Sequence, residues 1–182
     1  MKVWDECYWL LYDTLTLPTT SISEQGYKMF GESLGHSKGI QDTNLCQDGR
    51  LEDPESYSIH GLTLVCKPTA DKLQYDRFIE NYAIDLWIGQ KTYLRAPGGI
   101  FGYFGTPDQM AELIRNTKRL IYKDEGVCPP TQGLIEFPKD RELVIPYYLS
   151  FALTLRSNKS IPLYKSIDLY AIMWGIIQRG VQ

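Results

Sequence analysis

Phe78-Ile79-Glu80-Asn81-Tyr82-Ala83-Ile84-Asp85-Leu86-Trp87-Ile88 alternates along most of its length. Phe78, Tyr82, Ile84, Leu86 and Ile88 share one face, interrupted only by Glu80, while Asn81 and Asp85 stand beside Ala83 and Trp87 on the other. Side chains two residues apart point the same way only in extended chain, so the stretch reads as a strand with one buried face. Leu149-Ser150-Phe151-Ala152-Leu153-Thr154-Leu155-Arg156 repeats the pattern, with Leu149, Phe151, Leu153 and Leu155 inward. Ile167 to Ile177 is apolar on nearly both faces, with Asp168 near its start and Gly175 near its end. Such a strand is expected to be covered twice, by the core and by another layer or subunit.

Tyr57 to Cys66 is a further strand, ended by Lys67-Pro68. Trp9 to Leu17 is another, because Thr14, Thr16, Thr19 and Thr20 favour extended chain. Ahead of it the reading divides, since Val3, Trp4, Cys7, Tyr8 and Leu11 also fit one face of a helix. One helix is well signed, over 107–122. Thr106-Pro107-Asp108-Gln109 supplies an N-cap, a first-turn proline and a capping-box glutamine, and Met110, Leu113, Ile114, Thr117 and Ile121 follow at helical spacing. It ends near Lys123, before Gly126 and Cys128-Pro129-Pro130. Many strands, one short helix and no regular strand–helix alternation predict an all-β protein, an antiparallel β-sandwich with one short inserted helix. No linker or repeat divides residues 1–182, which read as a single domain with 1–20 as an N-terminal arm or first strand.

The 182 residues carry 19 Lys+Arg against 22 Asp+Glu, a net charge of −3, so the surface as a whole has no field to hold a phosphate backbone. Aromatic residues make up 13%, which argues against disorder and for rigid packing or contact surfaces. Cys7, Cys46, Cys66 and Cys128 contain no C-x-x-C, and His36 and His60 are the only histidines, so neither a metal site nor a cofactor is expected. Met1-Lys2-Val3-Trp4-Asp5-Glu6 places acids where a secretory signal needs basic residues and an apolar run. A run of about 18 apolar residues, as a membrane-spanning helix requires, is also lacking. The expectation is a protein made in the cytoplasm, with no membrane span and no small-molecule substrate.

Gly31-Glu32-Ser33-Leu34-Gly35 matches the G-x-S-x-G nucleophile elbow. Tyr27-Lys28-Met29-Phe30 supplies the short strand that elbow needs before it, but His36-Ser37-Lys38-Gly39 is a poor helix start after it. The expected reading is a loop, and no enzymatic activity is assigned. Asp85 belongs to a polar sheet face rather than to a carboxylate pair poised for catalysis. Ala96-Pro97-Gly98-Gly99-Ile100-Phe101-Gly102-Tyr103-Phe104-Gly105 is the most unusual stretch. Its aromatics are read as anchors at an interface or on the core, in preference to a stacking site for bases or sugars. Arg115, Lys118, Arg119 and Lys123 form a basic side of the helix, a solvated face with a nucleic-acid-facing role as the alternative.

Two longer runs go beyond single motifs. The first holds Thr43-Asn44-Leu45, Gly49-Arg50-Leu51, Pro54, the strand Tyr57 to Val65, and Ile84-Asp85-Leu86-Trp87-Ile88-Gly89-Gln90-Lys91-Thr92-Tyr93. The second holds Leu134-Ile135-Glu136-Phe137-Pro138, Leu143 to Pro146, Ser150-Phe151, the strand to Leu155, a Pro162 turn, and a closing strand that ends Gly175-Ile176-Ile177-Gln178-Arg179-Gly180-Val181-Gln182. Together they resemble the jelly-roll virion proteins of icosahedral bacteriophages. The resemblance implies a single viral jelly roll, a capsid subunit that assembles with copies of itself or a second virion protein into an icosahedral shell. The capped helix departs from that pattern and would be an insertion between strands. Phe101, Tyr103 and Phe104, with Trp4 and Trp9 near the N-terminus, are the expected interface residues. A carbohydrate- or receptor-binding β-sandwich module on a phage particle is the alternative, because exposed Trp and Tyr stack on sugar rings.

Overall fold

The computed structural model describes residues 3–18, 26–66, 81–98, 134–138, 143–157 and 166–181. Its strands are β1 (Val3–Leu17), β2 (Tyr27–Met29), β3 (Ser56–Cys66), β4 (Ala83–Ile88), β5 (Lys91–Pro97), β6 (Leu134–Glu136), β7 (Leu143–Pro146), β8 (Phe151–Arg156) and β9 (Ile167–Val181). They form two antiparallel sheets. The first runs β1-β9-β3-β6, with β7 also beside β3, and the second runs β2-β8-β4-β5. β6 lies opposite Gly61–Thr63 and β7 opposite Ser56–Ile59, so the two share one edge of β3. The chain changes sheet at every connection except β4 to β5 and β6 to β7.

Inward residues of both sheets meet in one core. Ile59, Leu62, Leu64, Leu169, Met173 and Ile177 of the first sheet join Met29, Ile84, Leu86, Phe151, Leu153 and Leu155 of the second, all buried. Each such side chain contributes about 1.5–3 kcal/mol over its exposed state. The architecture is therefore the antiparallel β-sandwich expected from the alternation in β4 and β8.

Three details differ from the sequence reading or extend it. Residues 3–8, which also fitted a helical face, are strand, because β1 pairs with β9 without a break from Val3↔Val181 to Leu17↔Ile167. Fifteen residues of ladder outweigh a local helical spacing. β5 was not foreseen; Gly89, at φ 59°, turns the chain after β4 so that Lys91–Pro97 runs back beside it. β4 begins at Ala83, and Phe78 to Glu80 lie outside the described residues. The helix expected over 107–122 also lies outside them, as do Phe101, Tyr103, Phe104, Arg115, Lys118 and Arg119.

Candidate functional site

β9 sits between β1 and β3, so its two faces carry the sandwich's inside and its outer wall. Ile167, Leu169, Ala171, Met173 and Ile177 point inward and are buried. Tyr170, Ile172, Trp174 and Ile176 point outward and are half-buried. Cross-strand partners share a face, which places Tyr8, Leu10 and Tyr12 of β1 beside Ile176, Trp174 and Ile172. The Trp174 ring occupies the space beside Gly61, where a Cβ would stand 1.8 Å from ring carbon Cζ2. The middle of this outer wall is thus aromatic and aliphatic, with Tyr8 67% exposed, while Glu6, Thr16, Asp168 and Gln178 stand on the same face toward its ends.

Trp4 and Trp9 fall on opposite faces of β1. Trp4 is on the outer wall and 47% exposed. Trp9 is 37% exposed, but the Arg179 guanidinium stands 4.3 Å from its ring centroid and pairs in turn with Glu55 at 2.8 Å. One face of Trp9 is therefore already occupied by its own chain, while Trp4 is the freer of the two expected contact residues.

β1 is also an edge strand, and half of that edge is covered. The Tyr12 N–H donates to Asn44 Oδ1 at 2.9 Å, and the Asn44 amide donates back to the Leu10 carbonyl at 2.5 Å. Thr43 Oγ1 donates to the Tyr12 carbonyl and Lys38 Nζ to the Thr14 carbonyl. Side chains here stand in for a neighbouring strand, which blunts an otherwise open edge. The 30–45 segment that supplies them is pinned by Asp13. Its fully buried carboxylate accepts from Lys38 Nζ at 2.7 and 2.8 Å and from the Phe30 N–H at 2.5 Å. Burial pushes the Asp13 carboxyl above its ordinary range, against the opposing pull of Lys38, Phe30 and Thr43.

The outer face of the second sheet is charged instead. Asp85, 1% exposed, accepts from Arg95 Nε at 2.8 Å and Nη2 at 3.3 Å, and pairs with Arg156 Nε at 3.2 Å. The two arginines come from the strands on either side of β4 and bury the carboxylate between them. Asp85 thus lies on the polar sheet face expected for it. Arg156 also stands 5.4 Å from the Trp87 ring centroid. Beside it Lys28, Trp87, Thr154 and Arg156 line a shallow depression of about 220 Å³. Among the described residues, Arg95, Arg156 and Lys28 against Asp85 leave this face net positive.

Ser33 and His36 of the elbow-like motif do come together with Asp48. Asp48 accepts from the Ser33 N–H at 2.6 Å and lies 3.1 Å from His36 Nδ1. The Ser33 hydroxyl and N–H, and then His36, hold the Asp48 carboxyl below its ordinary range. Asp48 stands between the Ser33 hydroxyl and the His36 imidazole, whereas in a Ser-His-Asp triad the imidazole stands between the hydroxyl and the carboxylate. Ser33 is also buried, and 31–35 is loop rather than a strand-to-helix turn. The arrangement ties a loop together, as the sequence reading expected.

Comparison with protein-family models, curated proteins and solved structures returns no match. The fold defines the chain as a two-sheet antiparallel β-sandwich. Among the described residues, no helix is long and apolar enough to cross a membrane.

Proposed function

We propose that this chain is a virion structural protein, a single jelly roll that assembles with copies of itself or a second virion protein into a shell. The observation that carries the reading is the strand order. Counting β6 and β7 as one interrupted strand leaves eight of the nine, and their order becomes 1-8-3-6 in one sheet and 2-7-4-5 in the other. Two Greek keys wrapped around each other generate that order, the arrangement of the double-sheet jelly roll. The helix proposed at 107–122 then falls in the connection from β5 to β6. The aromatic outer wall along β1 and β9 supports a role in subunit contacts, since aromatic residues are enriched where proteins meet. Phe101, Tyr103 and Phe104 are proposed as further contacts, and Arg115, Lys118 and Arg119 as a weak contact with packaged nucleic acid.

Negative-stain electron microscopy of the purified protein tests this reading. Rings, shells or extended arrays of a repeating subunit are the expected result, and a field of dispersed single sandwiches at high concentration, with and without a candidate second virion protein, would overturn it. A second reading, a binding module on a phage particle, draws on the depression beside Trp87 and Arg156. It predicts a soluble monomer with a specific hit on an array of acidic glycans.

A further inference from the structure

In an antiparallel ladder a residue's N–H and C=O point to the same side, and successive residues alternate sides. The bonds from Tyr12, Leu10 and Thr14 to the 38–44 loop fix the phase in β1: its even-numbered residues face away from β9. The covering ends, among the described residues, at Leu10. Among the described residues, nothing pairs with the edge-facing backbone of Trp4, Glu6 and Tyr8. A long strand whose edge is blunted along one half and open along the other is a template for one more strand.

The open half matches itself. Trp4 and Tyr8 are equidistant from Glu6, lie on the same face and are 47% and 67% exposed. A two-fold axis through Glu6 sets Trp4 opposite Tyr8 of the partner subunit, and the reverse, giving two aromatic cross-strand pairs. Three edge-facing residues on each side then exchange about six hydrogen bonds. Glu6 would meet its own copy at the axis, but the Gln178 amide donates to Glu6 Oε1 at 2.7 Å and draws the carboxylate back over β9.

We propose that the Trp4–Tyr8 edge of β1 pairs antiparallel with the same stretch of a second copy, joining two first sheets across a two-fold axis at Glu6. The inference rests on the shell-subunit reading, for which it names one contact. A contact this short is weak alone and suits a particle in which many repeats act together.

The register makes a covalent test available. An axis at Glu6 places Asp5 opposite Cys7 of the partner subunit as a non-hydrogen-bonded pair, about 4.5 Å between Cα atoms, within disulfide reach. Cys7 is a free thiol. Under mild oxidation Asp5→Cys should give a covalent dimer, and peptide mass spectrometry should place the cross-link between the introduced thiol and Cys7 of the partner subunit. Asp5→Cys/Cys7→Ser should lack that cross-link. Glu6→Pro removes an N–H that points off the edge and so should leave the circular dichroism spectrum intact while weakening association at least tenfold by sedimentation. Glu6→Gln should tighten it. Association that survives Glu6→Pro, or an associating Asp5→Cys protein without the cross-link to Cys7, overturns the edge pairing and leaves the shell-subunit reading standing. A wild-type protein that never associates, with no cross-link in Asp5→Cys, overturns both.

Discussion

Lys38→Met is the substitution that asks most of the structure. Lys38 Nζ reaches both oxygens of Asp13, whose side chain has no exposed surface, and the Lys38 side chain itself is only 15% exposed. Methionine keeps much of the aliphatic stem and removes the charge, together with the bond from Nζ to the Thr14 carbonyl. A buried carboxylate deprived of its cation costs about 3–5 kcal/mol near neutral pH. The sign of the pH effect follows from the direction of the Asp13 shift. Burial already raises its carboxyl above the ordinary value in the folded protein, so the folded chain binds that proton more tightly than the unfolded chain. Stability linked to Asp13 is therefore fully present below the unfolded carboxylate value and is lost as pH rises through the raised one. Removing Lys38 takes away a lowering influence and moves that loss to higher pH, so the penalty should shrink markedly near pH 5. Urea unfolding followed by tryptophan fluorescence at the two pH values measures it. Asp13→Asn/Lys38→Met should regain most of the loss at neutral pH, because the amide oxygen still accepts from the Phe30 N–H without carrying charge. A cost below about 1 kcal/mol at neutral pH, or one equal at both pH values, would refute the buried-pair account.

Asn44→Ala removes both bonds that a single amide makes to Tyr12 and Leu10; a loss of about 1–3 kcal/mol is expected, with faster amide exchange at Tyr12. It also lengthens the open edge of β1, so aggregation on heating should increase. Gly61→Ala sets a methyl group against the Trp174 ring; a cost of about 1–3 kcal/mol and a change in Trp emission are expected, and an unchanged melting temperature would mean the ring does not lie there. Tyr57→Phe deletes a hydroxyl that donates at 2.9 Å to the carbonyls of Trp9 and Met173, and about 1 kcal/mol should be lost in the same unfolding assay.

What the sequence made legible was decided by which strands have one dry face. β4 and β8 lie inside the second sheet with one wet side, so their alternation is clean and was read directly. β9 has neighbours on both sides and an aromatic outer wall, and its two-sided apolarity marked it as central. β5 stayed hidden because it is an edge strand whose residues Lys91, Thr92, Tyr93 and Arg95 are exposed, leaving no inward rhythm to detect. The first half of β1 was ambiguous for a similar reason: Asp5 and Glu6 break the alternation, and only the pairing with β9 decides between helix and strand. The charged arrangements were harder still. Asp85 stood correctly on a polar face, but its burial depends on Arg95 and Arg156 from two other strands. Asp13 meets Lys38 across a loop, and no local spacing announces that pair. The aromatic contacts assigned by sequence divide in the same way: Trp4 is open, whereas Trp9 is half covered by Arg179, a residue close to the far end of the chain.

The central claim is that this sandwich is built to meet its own kind, and a mass photometry dilution series tests it most directly. The account predicts a ladder of multiples of 20.9 kDa that climbs with concentration toward closed particles and collapses in Glu6→Pro. A single 20.9 kDa species at every concentration, unchanged when a candidate sister protein is added, would contradict it.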